Sequence, residues 1–269
     1  MNLAGREALV TGATGGLGHA IARALAARGA RLVLSGRRTE ALESLASELG
    51  ARAVACDLAD PAAVDRLNTE AGAIDVLVAN AGIPASGRID RFSVEDLDRA
   101  LAVNLRAPMV LAKRLAEGMA ARGGGHIVFM SSMAGKAASP GGSLYSATKF
   151  GLRGFSQGLR EDLRPMGIGV SSVFPSFIRD AGMYHDSGVR LPGYVATRTP
   201  EEVAAAVVRA IERDRAEVDV APLSLRAGAA AAGLLPEVAA AVQRRLGARE
   251  LGDSFADGQR WRSGEENDR

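Results

Sequence analysis

Short β-branched and aliphatic runs recur along the chain at Glu7–Thr11, Arg31–Ser35, Ala51–Cys56, Ile74–Asn80, His126–Ser131, Ile168–Phe174 and Glu217–Ala221. Between them lie longer stretches in which apolar residues return at helical spacing, among them Leu17–Arg28, Thr39–Leu49 and Leu97–Arg122. Strands alternating with helices predict right-handed βαβ crossovers. The expected fold is α/β: a Rossmann-like, doubly wound, mainly seven-stranded parallel sheet flanked by helices, with ligands at the carboxyl ends of the strands.

No linker divides the pattern, because the glycine-rich pieces Gly123–Gly125 and Pro140–Gly142 are short and sit between consecutive elements. A single domain over residues 1–251 is predicted, with 222–251 as a C-terminal helical extension. Its alanine-rich part runs from about Ser224 to Leu246, and Pro236 is placed to open a second helix there. Residues 252–269 are polar and charged and read as a mobile tail. The stretch Phe177–Thr199 shows little helical periodicity and reads as a lid over a substrate, with Met183, Tyr184, Leu191, Tyr194 and Val195 as its apolar inner face.

Composition narrows the classes. At 47% hydrophobic and 24% charged residues the chain is ordinarily globular, and a net charge of +2 over 269 residues argues against a nucleic-acid partner. One cysteine, Cys56, leaves no internal disulfide framework, and the opening "MNLAGREALV" lacks the basic and apolar parts of a signal sequence, so a cytoplasmic setting is expected. Ala227–Leu235, about nine apolar residues, is well short of the roughly 20 that a spanning helix needs, and no membrane span is expected.

The first predicted strand runs into "TGATGGLGHAIARALA". Glycines at 12, 15, 16 and 18 allow a tight turn close to a ligand, and the helix that follows aims its free N–H groups at the same spot, so an anion is expected there. Read as Thr-Gly-x-x-x-Gly-x-Gly, through Thr11, Gly12, Gly16 and Gly18, the turn resembles the cofactor motif of the typical short-chain dehydrogenase/reductase family. Because Gly15 is also present, it equally fits Thr-Gly-x-x-Gly-x-x-Gly, the pattern of the extended, sugar-nucleotide-modifying branch. The second strand ends in Gly36-Arg37-Arg38, where an NAD enzyme of this kind has a carboxylate for the ribose 2′-hydroxyl; an arginine pair selects the 2′-phosphate of NADP(H). The resemblance implies that Asp57 meets the adenine amino group, and it adds Thr14, Leu17 and Leu58 to the cofactor contacts.

Four further matches follow in order: Asn80-Ala81-Gly82 for the family's Asn-Ala-Gly, Asn104 for its helix asparagine, Ser132 after the fifth strand, and Tyr145 with Lys149 at the family's distance beyond that serine. Together they favour the short branch. Lys149 is one of only three lysines in the chain, and its position four residues after Tyr145 puts both on one helix face. Reducing a carbonyl needs an acid beside its oxygen, a free tyrosine titrates near 10, and an adjacent ammonium, helped by the cationic nicotinamide of the oxidised cofactor, is expected to lower that value. The resemblance makes Tyr145 the acid or base, Ser132 the group that holds the substrate oxygen, Lys149 a second contact to the nicotinamide ribose, and Asn104 the holder of a water in a proton path.

After the sixth strand the match loosens: Ser176 stands for the family's usual glycine, and Arg179-Asp180-Ala181 where a threonine often meets the carboxamide. Cofactor contacts from Pro175, Ser176 and Ile178 are expected, and no metal. The expected activity is NADP(H)-dependent interconversion of a ketone or aldehyde, an apolar one, with an alcohol, by a homodimer or homotetramer. The alternatives are a nonenzymatic NADP(H) sensor and an epimerase or dehydratase of the extended branch.

Overall fold

The computed structural model describes residues 1–191, 193, 195–245, 247, 250 and 252–258. Its centre is a seven-stranded, wholly parallel sheet in the order β3-β2-β1-β4-β5-β6-β7. The strands are β1 (Glu7–Thr11), β2 (Arg31–Gly36), β3 (Arg52–Ala55), β4 (Val76–Ala79), β5 (Gly125–Met130), β6 (Ile168–Pro175) and β7 (Glu217–Val220). β4 and β5 are buried along their whole length, as expected of parallel strands covered on both faces. The order reverses between β1 and β4, which leaves a crevice above their carboxyl ends.

Two apolar layers sandwich the sheet. On one face pack α1 (Gly16–Ala26), α2 (Thr39–Leu49) and α8 (Pro200–Glu212), through Ile21, Leu25, Leu42, Val203 and Val207. On the other pack α3 (Pro61–Ala71), α5 (Ala107–Ala121) and α6 (Ser143–Leu163), through Val64, Leu67, Leu111, Leu115 and Leu152. Local chemistry starts these helices. Thr199 and Glu202 form a reciprocal capping box at α8, with Pro200 in its first turn. Asp60 accepts from the Ala62 N–H at the start of α3.

Three expectations need correction. The helix foreseen over Leu97–Arg122 is instead α4 (Val94–Leu101), a π-helical turn over Ala102–Arg106, and α5. The wider turn coincides with the buried Asn104, whose amide reaches across to the backbone of Ile83. The predicted lid contains α7 (Gly182–Ser187), too short to register as a period, and Asp180 before it adopts φ +73°. Of the five apolar lid residues, Tyr194 lies outside the described residues.

The third concerns the C-terminus. α9 (Leu223–Leu234) and α10 (Pro236–Arg245) form as expected, with Pro236 opening the second. Residues 252–258, foreseen as the start of a tail, are helical, and Ala256 is 1% exposed. The rest of the predicted tail, 259–269, lies outside the described residues.

Candidate active site

The turn after β1 forms the floor of the crevice. Gly12 has φ +64°, and a Cβ there would lie 2.7 Å from Ala81 Cα. A Cβ on Gly18 would lie 2.1 Å from the Gly12 carbonyl oxygen, and one on Gly16 2.2 Å from Ala181 Cβ. Gly15 differs: its φ is −81°, and its nearest neighbour to a built Cβ is at an ordinary 3.5 Å. The glycines that sterics demand are therefore 12, 16 and 18, which settles the spacing left open by Gly15.

α1 starts on this turn with no side-chain cap and no acidic residue in its first turn. Such an uncapped positive end suits an anionic group, so the residues fit a dinucleotide pyrophosphate. Thr11, almost wholly buried, braces the turn by accepting from the N–H groups of Asn80 and Ala81, both at 3.1 Å. The Asn80 amide donates to the carbonyls of Thr11 at 3.0 Å and Gly12 at 3.3 Å, tying β4 to the glycine turn.

At the end of β2, Gly36 is buried beneath Thr14, whose hydroxyl oxygen would lie 3.1 Å from a Cβ there. Arg37 and Arg38 are exposed beyond it, and the Arg38 guanidinium donates to the Thr14 carbonyl, so this arginine reaches back over the glycine turn. Asp57 accepts from the Ala59 N–H at 2.9 Å and faces Arg99 at 3.5 Å, while Leu58 is buried. Leu17 packs against the α1 face of the core.

Beyond β5, the turn at Met133–Gly135 carries Ser132, whose oxygen accepts from the Ala134 N–H at 3.2 Å and whose hydroxyl points at the Pro175 carbonyl at 3.5 Å. Gly135 lets α6 settle against this turn: a Cβ there would lie 2.7 Å from both the Lys149 carbonyl oxygen and Ser131 Oγ. Ser131 donates to that same carbonyl at 3.2 Å. These contacts place the first turns of α6, with Tyr145 and Lys149, beside Ser132. Asn104 Oδ1, Met183 Cε and Lys149 Nζ then gather 3.3, 3.5 and 3.8 Å from where a Cβ on Gly82 would stand.

Burial works against the tuning of Tyr145 expected from Lys149 and the oxidised nicotinamide together. Desolvation pushes the Tyr145 phenol up to about 12, opposed by its contact with the Ser132 hydroxyl. Lys149 is 2% exposed, donates to the Met130 carbonyl at 2.9 Å, and is lowered by burial to about 8. Its Nζ lies 5.5 Å from the centre of the tyrosine ring. Burial thus outweighs the lysine in this ligand-free arrangement.

Side-chain bonds and packing tie down three more of the expected site residues. The Asn104 side chain uses its oxygen on the Ile83 N–H at 2.8 Å and its NH₂ on the Ile83 carbonyl at 3.0 Å, so it acts first as a backbone brace. Ser176 and Ile178 have partners within the fold. Ser176 Oγ donates to the Val220 carbonyl at 3.2 Å, and Ile178 is buried in the core layer of α1 and α8.

The apolar and polar pattern gave no sign of Glu217 on β7. Its carboxylate accepts from Arg153 of α6 at 2.7 and 3.2 Å and pairs with Lys136, beside the Ser132 turn, at 2.8 Å. Lys136 also pairs with Asp219 at 2.6 Å and lies 4.1 Å from the centre of the Phe174 ring. One edge-strand carboxylate therefore clamps the serine turn to the helix that bears Tyr145 and Lys149.

A family model described as short chain dehydrogenase matches residues 6–189. The chain belongs to the short-chain dehydrogenase family. This makes the protein an oxidoreductase by family. It is 36% identical over 227 residues to the ketoacyl reductase HetN of a Nostoc species, covering 81% of this chain and 79% of the relative. A short-chain dehydrogenase from Sphingobium yanoikuyae, solved in complex with NADPH, superposes with TM-score 0.75 at 31% identity, covering 86% of this short-chain dehydrogenase and 96% of that one. A 3-ketoacyl-(acyl-carrier-protein) reductase from Brucella melitensis, solved with NADH, superposes at TM-score 0.73 and 26% identity, covering 81% and 97%. Among the described residues of this chain, no helix is long and apolar enough to cross a membrane.

Proposed function

We propose that this short-chain dehydrogenase is an NADP(H)-dependent reductase of an apolar ketone or aldehyde, running in reverse as an alcohol dehydrogenase. The observation that carries the reading is the meeting of Ser132, Tyr145 and Lys149: the Ser132 hydroxyl contacts the Tyr145 phenol, Lys149 Nζ lies 5.5 Å from the tyrosine ring, and the same Nζ comes within 3.8 Å of where a Cβ on Gly82 would stand. Gly36 followed by Arg37 and Arg38, with Arg38 bent over Thr14, supports a 2′-phosphate in place of a 2′-hydroxyl. The NADPH of the Sphingobium protein agrees with this, whereas the Brucella protein carries NADH, so the arginines bear the choice.

When bound, the dihydronicotinamide supplies the hydride that goes to the carbonyl carbon. Tyr145 gives its phenolic proton to the carbonyl oxygen and takes one back from the alcohol in reverse. Ser132 holds that oxygen; its present bond to the Pro175 carbonyl, at 3.5 Å, is long enough to exchange for a better acceptor. Lys149 carries three donors, of which the Met130 carbonyl uses one, leaving two for ribose hydroxyls. With its amide occupied by Ile83, Asn104 offers the proton path its main-chain carbonyl, in the π-helical turn. The apolar lid residues support an apolar substrate. The setting taken is a cytoplasmic homodimer or homotetramer, supported by composition and family habit; a monomeric mass by light scattering at micromolar protein would overturn the assembly.

The test is a titration with NADPH and NADH followed by nicotinamide fluorescence, then consumption of NADPH with a panel of apolar ketones. NADPH should bind at least tenfold tighter, and Arg37→Ala with Arg38→Ala should remove most of that preference. Tighter binding of NADH would refute the cofactor reading. Binding with no turnover of any ketone would favour a sensor.

A further inference from the structure

Residues 252–258 lie beyond the stretch matched by the family model, yet they touch all three loops that surround Tyr145. On the loop after β4, Ala256 packs over Gly87, where a Cβ would lie 3.6 Å from the alanine's own, and Arg91 pairs with Asp257 at 2.9 Å. On the loop before α6, a Cβ on Gly252 would lie 2.5 Å from the Pro140 carbonyl oxygen, so this glycine permits backbone-to-backbone contact four to five residues before Tyr145. On the lid, a Cβ on Gly258 would lie 2.1 Å from the Ser187 carbonyl oxygen at the end of α7. Two glycines that admit no side chain, one buried alanine and one ion pair make this a fitted contact.

Phe255 is its centre. Its ring stacks on Phe177 with centroids 5.9 Å apart and lies 6.0 Å from Tyr184, and those two rings meet edge-on at 5.5 Å. Tyr184 follows Met183, whose Cε reaches toward Gly82 and Lys149. Across from the lid, Leu144, Ala85 and Phe92 pack with Tyr145 itself.

We propose that residues 252–258 roof the substrate pocket of their own chain, and that Phe255 is a specificity-determining residue limiting the length of the apolar carbonyl compound accepted. The proposal rests on the reductase reading for its substrate, but the roof itself can be tested without turnover. Phe255 holds the lid through Phe177 and Tyr184, so shortening it both loosens the lid and lengthens the pocket.

The experiment compares the full-length protein with Phe255→Ala and Phe255→Leu by hydrogen–deuterium exchange with NADPH bound, and by kcat/KM for aryl alkyl ketones with alkyl chains of two to eight carbons. Phe255→Ala should speed exchange at least fivefold in residues 138–142 and 182–188 and leave the NADPH dissociation constant within twofold. It should raise kcat/KM for the longest ketone at least fivefold relative to the shortest, with Phe255→Leu in between. Asp257→Arg should speed the same exchange, and adding Arg91→Asp should restore it, which separates docking from misfolding. Unchanged exchange in Phe255→Ala and Asp257→Arg would overturn the roof, whether or not any ketone is reduced. Faster exchange with an unchanged chain-length preference would overturn the specificity role. Wild-type protein that binds NADPH and reduces none of the ketones would defeat the reductase reading, while the exchange data would still decide the roof.

Discussion

Burial sets the order in which Lys149 and Tyr145 give up their protons. Lys149 titrates at about 8 and Tyr145 at about 12, so the lysine loses its charge well before the phenol loses its proton. Relative to an ordinary tyrosine at 10, burial disfavours the phenolate by roughly 3 kcal/mol, at about 1.36 kcal/mol per unit. A proton exchanger working near pH 8 must recover that and more. Bringing the phenol from about 12 to about 8 requires roughly 5 kcal/mol of preference for the phenolate, and a cationic oxidised nicotinamide beside Tyr145 and Lys149 supplies a charge of the right sign. The assay is phenolate absorbance near 295 nm after a stopped-flow pH jump, read before any unfolding, as wild type minus Tyr145→Phe. Without ligand the Tyr145 component should appear only above pH 11. Saturating NADP⁺ should move its midpoint down by at least three units. A ligand-free midpoint at or below 9, or no movement on adding NADP⁺, would refute the reasoning.

Three further outcomes follow from the geometry. Gly15→Ala should leave NADPH binding within about threefold, because its backbone angle suits any residue and a Cβ there meets only an ordinary contact at 3.5 Å, whereas Gly18→Ala should abolish binding; equal effects in fluorescence titration would contradict the assigned spacing. His126 is buried against Ser171 at 2.8 Å, and burial lowers it to about 4. Below pH 6.5 the unfolded chain therefore takes up a proton that the folded one refuses, and stability present above 6.5 falls by about 3 kcal/mol on reaching pH 4. Urea unfolding between pH 7.5 and 4.5 should show that loss shrinking in His126→Gln, and parallel pH profiles would count against it. Glu217→Gln should lower kcat about ten- to a hundredfold with KM and NADPH binding within about twofold, as expected if the clamp only positions Ser132 against Tyr145; an equal rise in KM would place its role elsewhere.

What the sequence reveals about this molecule is what neighbours in the chain decide. Continuous apolar runs mark the buried strands, and the glycine turn and the Tyr145–Lys149 pair are read within a single element. What it hides depends on distant partners. The π-helical turn at Asn104 answers to the backbone of Ile83, 21 positions earlier. Glu217 binds Arg153 and Lys136, 64 and 81 positions away, and ion pairing leaves no periodic trace. Residues 252–258 look like a solvated tail because one phenylalanine among polar residues carries little pattern, and the close approaches of Gly252 and Gly258 become visible only against Pro140 and Ser187. The burial that opposes the tuning of Tyr145 is hidden for the same reason: spacing shows that a lysine is near, but its surroundings decide how readily it keeps its charge.

The strand order also sets a timetable. β1 lies between β2 and β4, so the first three strands can pair as soon as they exist, but the glycine turn is not braced until Asn80 arrives, 69 positions after Thr11. β5 and β6 then add outward on one side, each beside its predecessor, and residues 252–258 reach Gly87, Pro140 and Ser187 only after every strand has been made. During synthesis from the N-terminus the dinucleotide crevice is thus assembled early, and the contacts above Tyr145 come last. A ribosome-bound chain stalled after β6 would hold the crevice with its aromatic cluster unfinished, so a dinucleotide could stabilise the nascent protein before any substrate pocket exists.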